Sequence, residues 1–201
     1  MFTTFLLASI ALTLSPGPDI LYVLTQSISN GKKFGIATAA GLVSGILVHT
    51  TLIALGVSAV IKQSELIFTG IKIIGACYLL WIAFQVYKAP ASIDLKTNNN
   101  SKSNLLSLFK QGFIMNVLNP KVTLFFLAFF PGFIDEKSGN VTQQIYLLGF
   151  LFMLQAFVIF SLVSILADKL TIFIRSNQNF AVFLKWFQIV VFILIAVLIL
   201  I

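Results

Sequence analysis

Six apolar runs divide the chain, near residues 2–29, 36–61, 66–87, 109–133, 143–167 and 180–201. Each meets the requirement of about 20 predominantly apolar residues for a helix that crosses the hydrocarbon of a bilayer. The polar connections between them are short except for residues 88–108. There the stretch Lys96-Thr97-Asn98-Asn99-Asn100-Ser101-Lys102-Ser103-Asn104 has no apolar periodicity and predicts a flexible linker. The pattern therefore predicts an all-α integral membrane protein of six transmembrane helices, in two three-helix halves at 1–87 and 109–201. Three spans per half is an odd number, so the halves would run in opposite directions across the bilayer as an inverted pair. The first run is apolar almost from Met1 and has no basic segment before it. It reads as a genuine first span rather than a cleaved signal.

Two of these runs are interrupted at their middles. The first carries Leu14-Ser15-Pro16-Gly17-Pro18-Asp19 and the fourth carries Leu118-Asn119-Pro120-Lys121. Proline has no N–H, so the carbonyl four residues earlier loses its helical partner. The affected carbonyls are those of Leu12, Leu14 and Asn116. Such backbone is tolerated at membrane depth only where it is buried in protein or lines a wet cavity. A broken helix in each half, with charge at the break, is the arrangement that places a transporter's site near the midplane. Helices 1 and 4 are thus predicted to be the broken ones.

Composition narrows the class further. The chain has 201 residues, of which 59% are hydrophobic and 9% charged, and its mean hydropathy is +1.03. A soluble domain carries about 25% charged residues. The formal charge of +7 does not point to nucleic acid, because the basic residues lie between apolar runs and form no stripe. They read as topology signals. The connections after runs one, three and five, with the span ends beside them, hold Lys32, Lys33, Lys88, Lys96, Lys102, Lys110, Lys169, Arg175 and Lys185. The opposite side holds Lys62 and Lys137, with Lys72 about one turn inside the third run and able to snorkel that way. Nine against two puts the odd connections, including 88–108, in the cytoplasm and both termini outside. Trp81, Tyr87 and Trp186 then fall near the cytoplasmic interface. Cys77, the single cysteine, lies in an apolar run and is expected to serve packing.

Asp19 is the one acidic residue well inside a span. An ionised carboxylate at such depth costs about 2.5–3.5 kcal/mol on insertion scales, and such groups mark ion or substrate paths. A structural reading stands beside this one: Asp19 could cap the helix that restarts after Pro18. Lys121 lies about 18–20 Å from the cytoplasmic start of its span at 1.5 Å per residue, and Ser15 lies at similar depth from the other side. The two breaks could therefore face each other. Asp19 and Lys121 would then meet directly as a structural ion pair, or across a small ligand. Asn116, Asn119 and Thr123 flank the second break with donors and acceptors, and Gln155 sits mid-span in the fifth run, where an interhelical hydrogen bond is expected. In the second run Ala37, Gly41, Gly45 and His49 recur every four residues and share a face. His49 therefore faces another helix, either as a satisfied core histidine or as a candidate proton relay.

Ser15-Pro16-Gly17-Pro18-Asp19 followed by Asn119-Pro120-Lys121, in an apolar chain of this size, resembles the lysine exporter and homoserine/threonine efflux (LysE/RhtB) family. The resemblance spans the whole chain, and it is the pairing of the two motifs that gives it specificity. Members of that family are secondary exporters of amino acids in the bacterial inner membrane, and the resemblance implies the same class here. It points to Pro16, Gly17, Pro18, Asp19, Asn119, Pro120 and Lys121, and it does not choose the substrate.

On this reading the protein exports amino acids or close derivatives by proton antiport. The partners are a small amino-acid substrate, protons and the lipid bilayer, with no nucleic acid, cofactor or metal. Assembly into a homo-oligomer is left open. Other classes fit less well. An intramembrane serine protease would have only His49 as base and shows no Gly-x-Ser-x-Gly turn. An exporter of hard cations would want several oxygen ligands, and Asp19 is the sole buried acid.

Overall fold

A computed structural model describes residues 2–15, 17–63, 65–90, 104–135, 139–176 and 178–200. Pro16 and most of the predicted linker, residues 91–103, lie outside the described residues. Every element is helical, and among the described residues there is no strand.

The first apolar run is two helices, α1 (Phe2–Leu14) and α2 (Pro18–Asn30), bent by 55° at the Ser-Pro-Gly-Pro break. Pro18 occupies the first turn of α2, the one place where a helix loses nothing to its missing N–H. Gly31, at φ 97°, ends α2 in a conformation that side chains disfavour, and its N–H closes on the Ser27 carbonyl at 2.9 Å. The chain then reverses into α3 (Lys32–Gln63), which at 1.5 Å per residue is about 48 Å long. The third run is α4 (Glu65–Lys88).

The fourth run begins as α5 (Leu105–Val117), bends by 47°, and restarts as the short α6 (Pro120–Leu124). From there the backbone widens into a π-helical turn at Phe125–Phe129 and tightens into a 3-10 turn at Phe130–Phe133. The fifth run is α7 (Val141–Ile165) and the sixth is α9 (Gln178–Leu200). Between them lies α8 (Ala167–Ser176), a helix in a stretch that hydropathy assigned to a connection. Its Ala167 and Leu170 pack against Leu24 and Ile28 of α2.

Among the described residues three helices are long and apolar enough to cross a membrane, or five if each bent pair counts as one span. The molecule is a multi-pass membrane protein. α3 is its central post, packed on α5, α7 and α2, while α4 lies along α9. The small face of α3 does what its spacing predicts. A Cβ at Gly41 would collide with the Phe109 carbonyl, and one at Gly45 would lie 2.7 Å from Asn116 Oδ1. Only glycine lets α5 come this close.

One end of the core is aromatic. Phe125, Phe126, Phe129 and Phe130 are all buried, joined by Phe5 and Phe152. Their ring centroids lie 4.8–5.4 Å apart in the pairs Phe126–Phe130, Phe125–Phe129, Phe5–Phe130 and Phe125–Phe152. Each such pair contributes about 0.5–1.5 kcal/mol beyond its buried area. Tyr87 and Trp186 meet at 6.0 Å where α4 and α9 end and begin. Lys185 joins them there, donating to the Ala89 carbonyl at 2.7 Å. Cys77 departs from expectation: it is exposed on the outer face of α4. An apolar run does not say which of its faces is buried, because α4 has little amphipathic bias to orient it.

Candidate functional site

The two breaks face each other. From the first, Asp19 projects out of the opening turn of α2, and its Oδ1 accepts a bond of 2.9 Å from Asn119 Nδ2. Asn116 Nδ2 approaches Asp19 Oδ2 at 3.5 Å. The capping role open to Asp19 is not the one it plays: Gly17 holds the cap position, without a side-chain bond. The carboxylate is turned away from its own helix toward the other half of the chain.

Asn119 works in two directions at once. While its amide nitrogen reaches Asp19, its Oδ1 accepts the Lys121 backbone N–H at 3.0 Å and so caps α6. Its backbone carbonyl takes the Thr123 hydroxyl at 3.1 Å. The Asn116 carbonyl, orphaned by Pro120, is recovered from two sides, by the Asn119 N–H at 2.9 Å and by His49 Nε2 at 3.1 Å. Because a carbonyl can only accept, this bond fixes the His49 tautomer with the proton on Nε2. His49 therefore stands behind Asn116, with Phe126 5.7 Å away between ring centroids.

Lys121 does not meet Asp19 in an ion pair. Its ammonium donates instead to the Ser15 carbonyl at 3.0 Å and lies 5.6 Å above the centre of the Phe192 ring on α9. The first break is thus tied by a cation from the second. Of the two arrangements open to the pair, direct contact is not the one found: the carboxylate is already taken by two amides, and the buried carbonyl of Ser15 accepts the ammonium instead. Gly17 lines the same space at φ −169°, extended backbone that any residue adopts, and a Cβ there would sit 3.5 Å from the Lys121 ammonium.

Between these groups lies a cavity of ≈ 30 Å³ lined by Ser15, Gly17, Asp19, Asn116, Asn119 and Lys121. Phe152, Ala156 and Phe160 of α7 line it too, with Leu12, Ile46 and Val122. A water needs about 10–15 Å³ on this measure, so the space holds a water or two. Two buried polar atoms on its lining have no partner, Ser15 Oγ and Asn116 Oδ1. Of the residues expected from sequence, Ser15, Gly17, Pro18, Asp19, Asn116, Asn119 and Lys121 line the cavity, while Pro16 lies outside the described residues. Pro120 shapes α6 from behind. Gln155 and His49 are one residue removed. Gln155 makes the expected interhelical bond, donating to Thr13 Oγ1 at 3.0 Å, and it is Thr13 that reaches the lining. Thr13 and Phe192 were missed. Thr13 could have been noticed as a polar residue close before a helix break; nothing local marks Phe192. Among the described residues no group of three His, Cys, Asp or Glu side chains could hold a metal ion.

Residues 10–201 match the family model described as LysE type translocator. The chain belongs to that family. Among the curated relatives of this LysE type translocator is the homoserine/homoserine lactone efflux protein of Salmonella typhimurium. It is 32% identical over 175 residues, which cover 87% of this chain and 84% of the relative. The protein of the same description from Salmonella typhi is 31% identical over the same shares. An uncharacterized membrane protein of Vibrio cholerae is 31% identical over 176 residues, 88% of this chain and 85% of its own. No solved structure matches the translocator. Family membership and the relatives' descriptions agree with a transporter whose cargo is a small molecule, in keeping with the resemblance read from the two motifs.

Proposed function

We propose that the protein exports small neutral amino compounds of the homoserine type across the bacterial inner membrane, in exchange for protons. The observation that carries this is the Asp19 carboxylate. It comes from one helix break and is held by amides of the other, inside a chain of membrane-spanning helices. Homoserine and its lactone differ at the carboxyl end and share the amino group. A site that serves both must grip the ammonium, and Asp19 is the group for that purpose. The Lys121 ammonium, with two further N–H donors beyond the one given to Ser15, would receive a substrate carboxylate where one is present.

The architecture of this reading is six spans as two inverted three-helix halves, with residues 88–108 cytoplasmic and both termini outside. The packing of α3 on α7 and of α4 on α9 supports it, because these are the second with the fifth and the third with the sixth runs. Counterpart helices meet across the axis of an inverted pair. The basic-residue count supports the orientation. A cavity of ≈ 30 Å³ is too small for an amino acid, so loading requires the breaks to part.

A proton arriving from outside neutralises Asp19 and releases the ammonium, so that proton and substrate alternate on one carboxylate. If a neutral zwitterion leaves as one proton enters, one positive charge moves inward per cycle. At about 2.3 kcal/mol per 100 mV, and about 1.36 kcal/mol per tenfold, that supports a gradient of about 50-fold. His49, the candidate proton relay, already has a structural task in holding the Asn116 carbonyl. The deciding experiment is efflux of labelled homoserine and homoserine lactone from cells expressing the chain. Uphill export that collapses with an uncoupler is expected. Equal retention with and without the protein would refute the assignment.

A further inference from the structure

The cavity lining joins charged and amide groups of the breaks to apolar side chains, among them Leu12, Ile46 and Val122 and one face of α7. Phe152, Ala156 and Phe160 follow each other at four-residue spacing, so they project from one side of that helix. All three are buried, at 3%, 1% and 4% exposure. Ala156 is the one small side chain on this face, a notch between two rings.

A substrate held by its ammonium at Asp19 would direct its side chain at the apolar part of the lining, to which α7 contributes the two rings of Phe152 and Phe160 with Ala156 between them. We infer that Ala156, between Phe152 and Phe160, is the position that sets side-chain length, and that the cavity takes amino compounds with one ammonium and a short neutral side chain. This rests on the reading of Asp19 as the ammonium seat. The charge inventory points the same way. Among the described lining residues Asp19 is the one carboxylate. A dibasic amino acid would carry its second cation to the apolar part of the lining with no counter-charge, and burying an unpaired charge is costly. A short hydroxylated side chain meets no such penalty. Ser15 Oγ, buried and without a partner, offers the cavity a hydroxyl that can give or accept one bond.

The test is a competition series of alanine, serine, homoserine, leucine and lysine, measured as efflux from cells and as ligand-induced thermal shift of the purified full chain. The wild type is compared with Ala156→Val and Ala156→Gly. One methylene in an apolar pocket is worth about 10-fold or more in discrimination. Ala156→Val should therefore lower the homoserine-to-alanine ratio by about that factor, and Ala156→Gly should raise the leucine-to-homoserine ratio similarly. Lysine should be carried by none. A merely structural role would lower all rates together and leave the ratios alone, and that result in both variants overturns the inference. Lysine efflux by the wild type at the homoserine rate overturns it too. If the valine variant does not accumulate, the glycine variant decides alone. Failure of the underlying reading looks different: the wild type would then carry, and be stabilised by, no member of the series.

Discussion

At the break after Leu14 the chain bends by 55° and no side chain caps the helix that follows, whereas after Val117 it bends by 47° and Asn119 caps its own continuation. The second break is closed mostly by its own residues, with one bond from α3. Its orphaned carbonyl is recovered by the Asn119 N–H and His49, and its new helix begins on an asparagine cap. The first break borrows. Ser15 O is held by Lys121 and Asp19 by Asn119 and Asn116, all from the other half. Ser15 Oγ remains without a partner. The same covalent problem, a proline inside an apolar run, is met in one place mainly by local chemistry, with His49 of α3 adding one bond, and in the other by tertiary contact. The difference assigns roles: Asn119-Pro120-Lys121 is the anchor, and the Ser-Pro-Gly-Pro segment is what the anchor holds.

The comparison can be broken most severely at Asp19. Asp19→Asn keeps an acceptor for Asn119 but carries no exchangeable proton, so uphill efflux should vanish while insertion persists. Uncoupler-sensitive accumulation outside cells at the wild-type rate would exclude proton exchange at this carboxylate. Asn119→Ala comes next. It removes a cap worth about 1 kcal/mol and a hydrogen bond to a charged group worth about 1.5–3 kcal/mol. Thermal unfolding in detergent should show a clear loss of stability together with loss of transport. If the anchor assignment is wrong, Ser15→Ala will destabilise as much.

A third test restores what proline took away. Pro120→Ala gives the Asn116 carbonyl back a helical partner and straightens the fourth span, which should leave insertion intact and reduce efflux by an order of magnitude or more. His49→Gln should have a milder effect, since an amide N–H can still reach the Asn116 carbonyl. His49→Leu should cost more, because it leaves that carbonyl short of a donor. Equal and complete loss in both would favour a relay over a structural role. The smallest effect is expected at Gly17→Ala. The backbone there is extended and the new Cβ would make only ordinary contacts, with the Lys121 ammonium at 3.5 Å and the Ser15 carbonyl at 3.8 Å, so stability should change by about 0.5 kcal/mol or less.

Much of this was legible in the residues. All six apolar runs are helical with ends close to those read from hydropathy, because a bilayer leaves a backbone few other ways to satisfy its hydrogen bonds. The helices are interrupted between Leu14 and Pro18 and between Val117 and Pro120, and the four-residue recurrence from Ala37 to His49 aims His49 at a neighbouring helix, where it meets the Asn116 carbonyl. What stayed hidden depends on tertiary fit. The choice between Asp19 and the Ser15 carbonyl as partner for Lys121 is made by side-chain geometry that spacing does not contain. The π-helical turn at Phe125–Phe129 carries three buried rings that pack with Phe5, Phe130 and Phe152, partners that lie far away in sequence or beyond the turn. α8 escaped because ten residues with charges at both ends look like any connection.

The bond from Lys121 to the Ser15 carbonyl bears on how such a chain could divide. Within an uninterrupted helix an interior carbonyl is served by the N–H four residues on, so all but the last turn is self-sufficient before it meets its neighbours. Here, among the described residues, the Ser15 carbonyl at the first break is answered by an ammonium encoded in residues 109–201. The first half is therefore chemically unfinished by itself. The two halves would be expected to work as complementing fragments, each silent alone, with the missing donor delivered in trans at the moment they assemble.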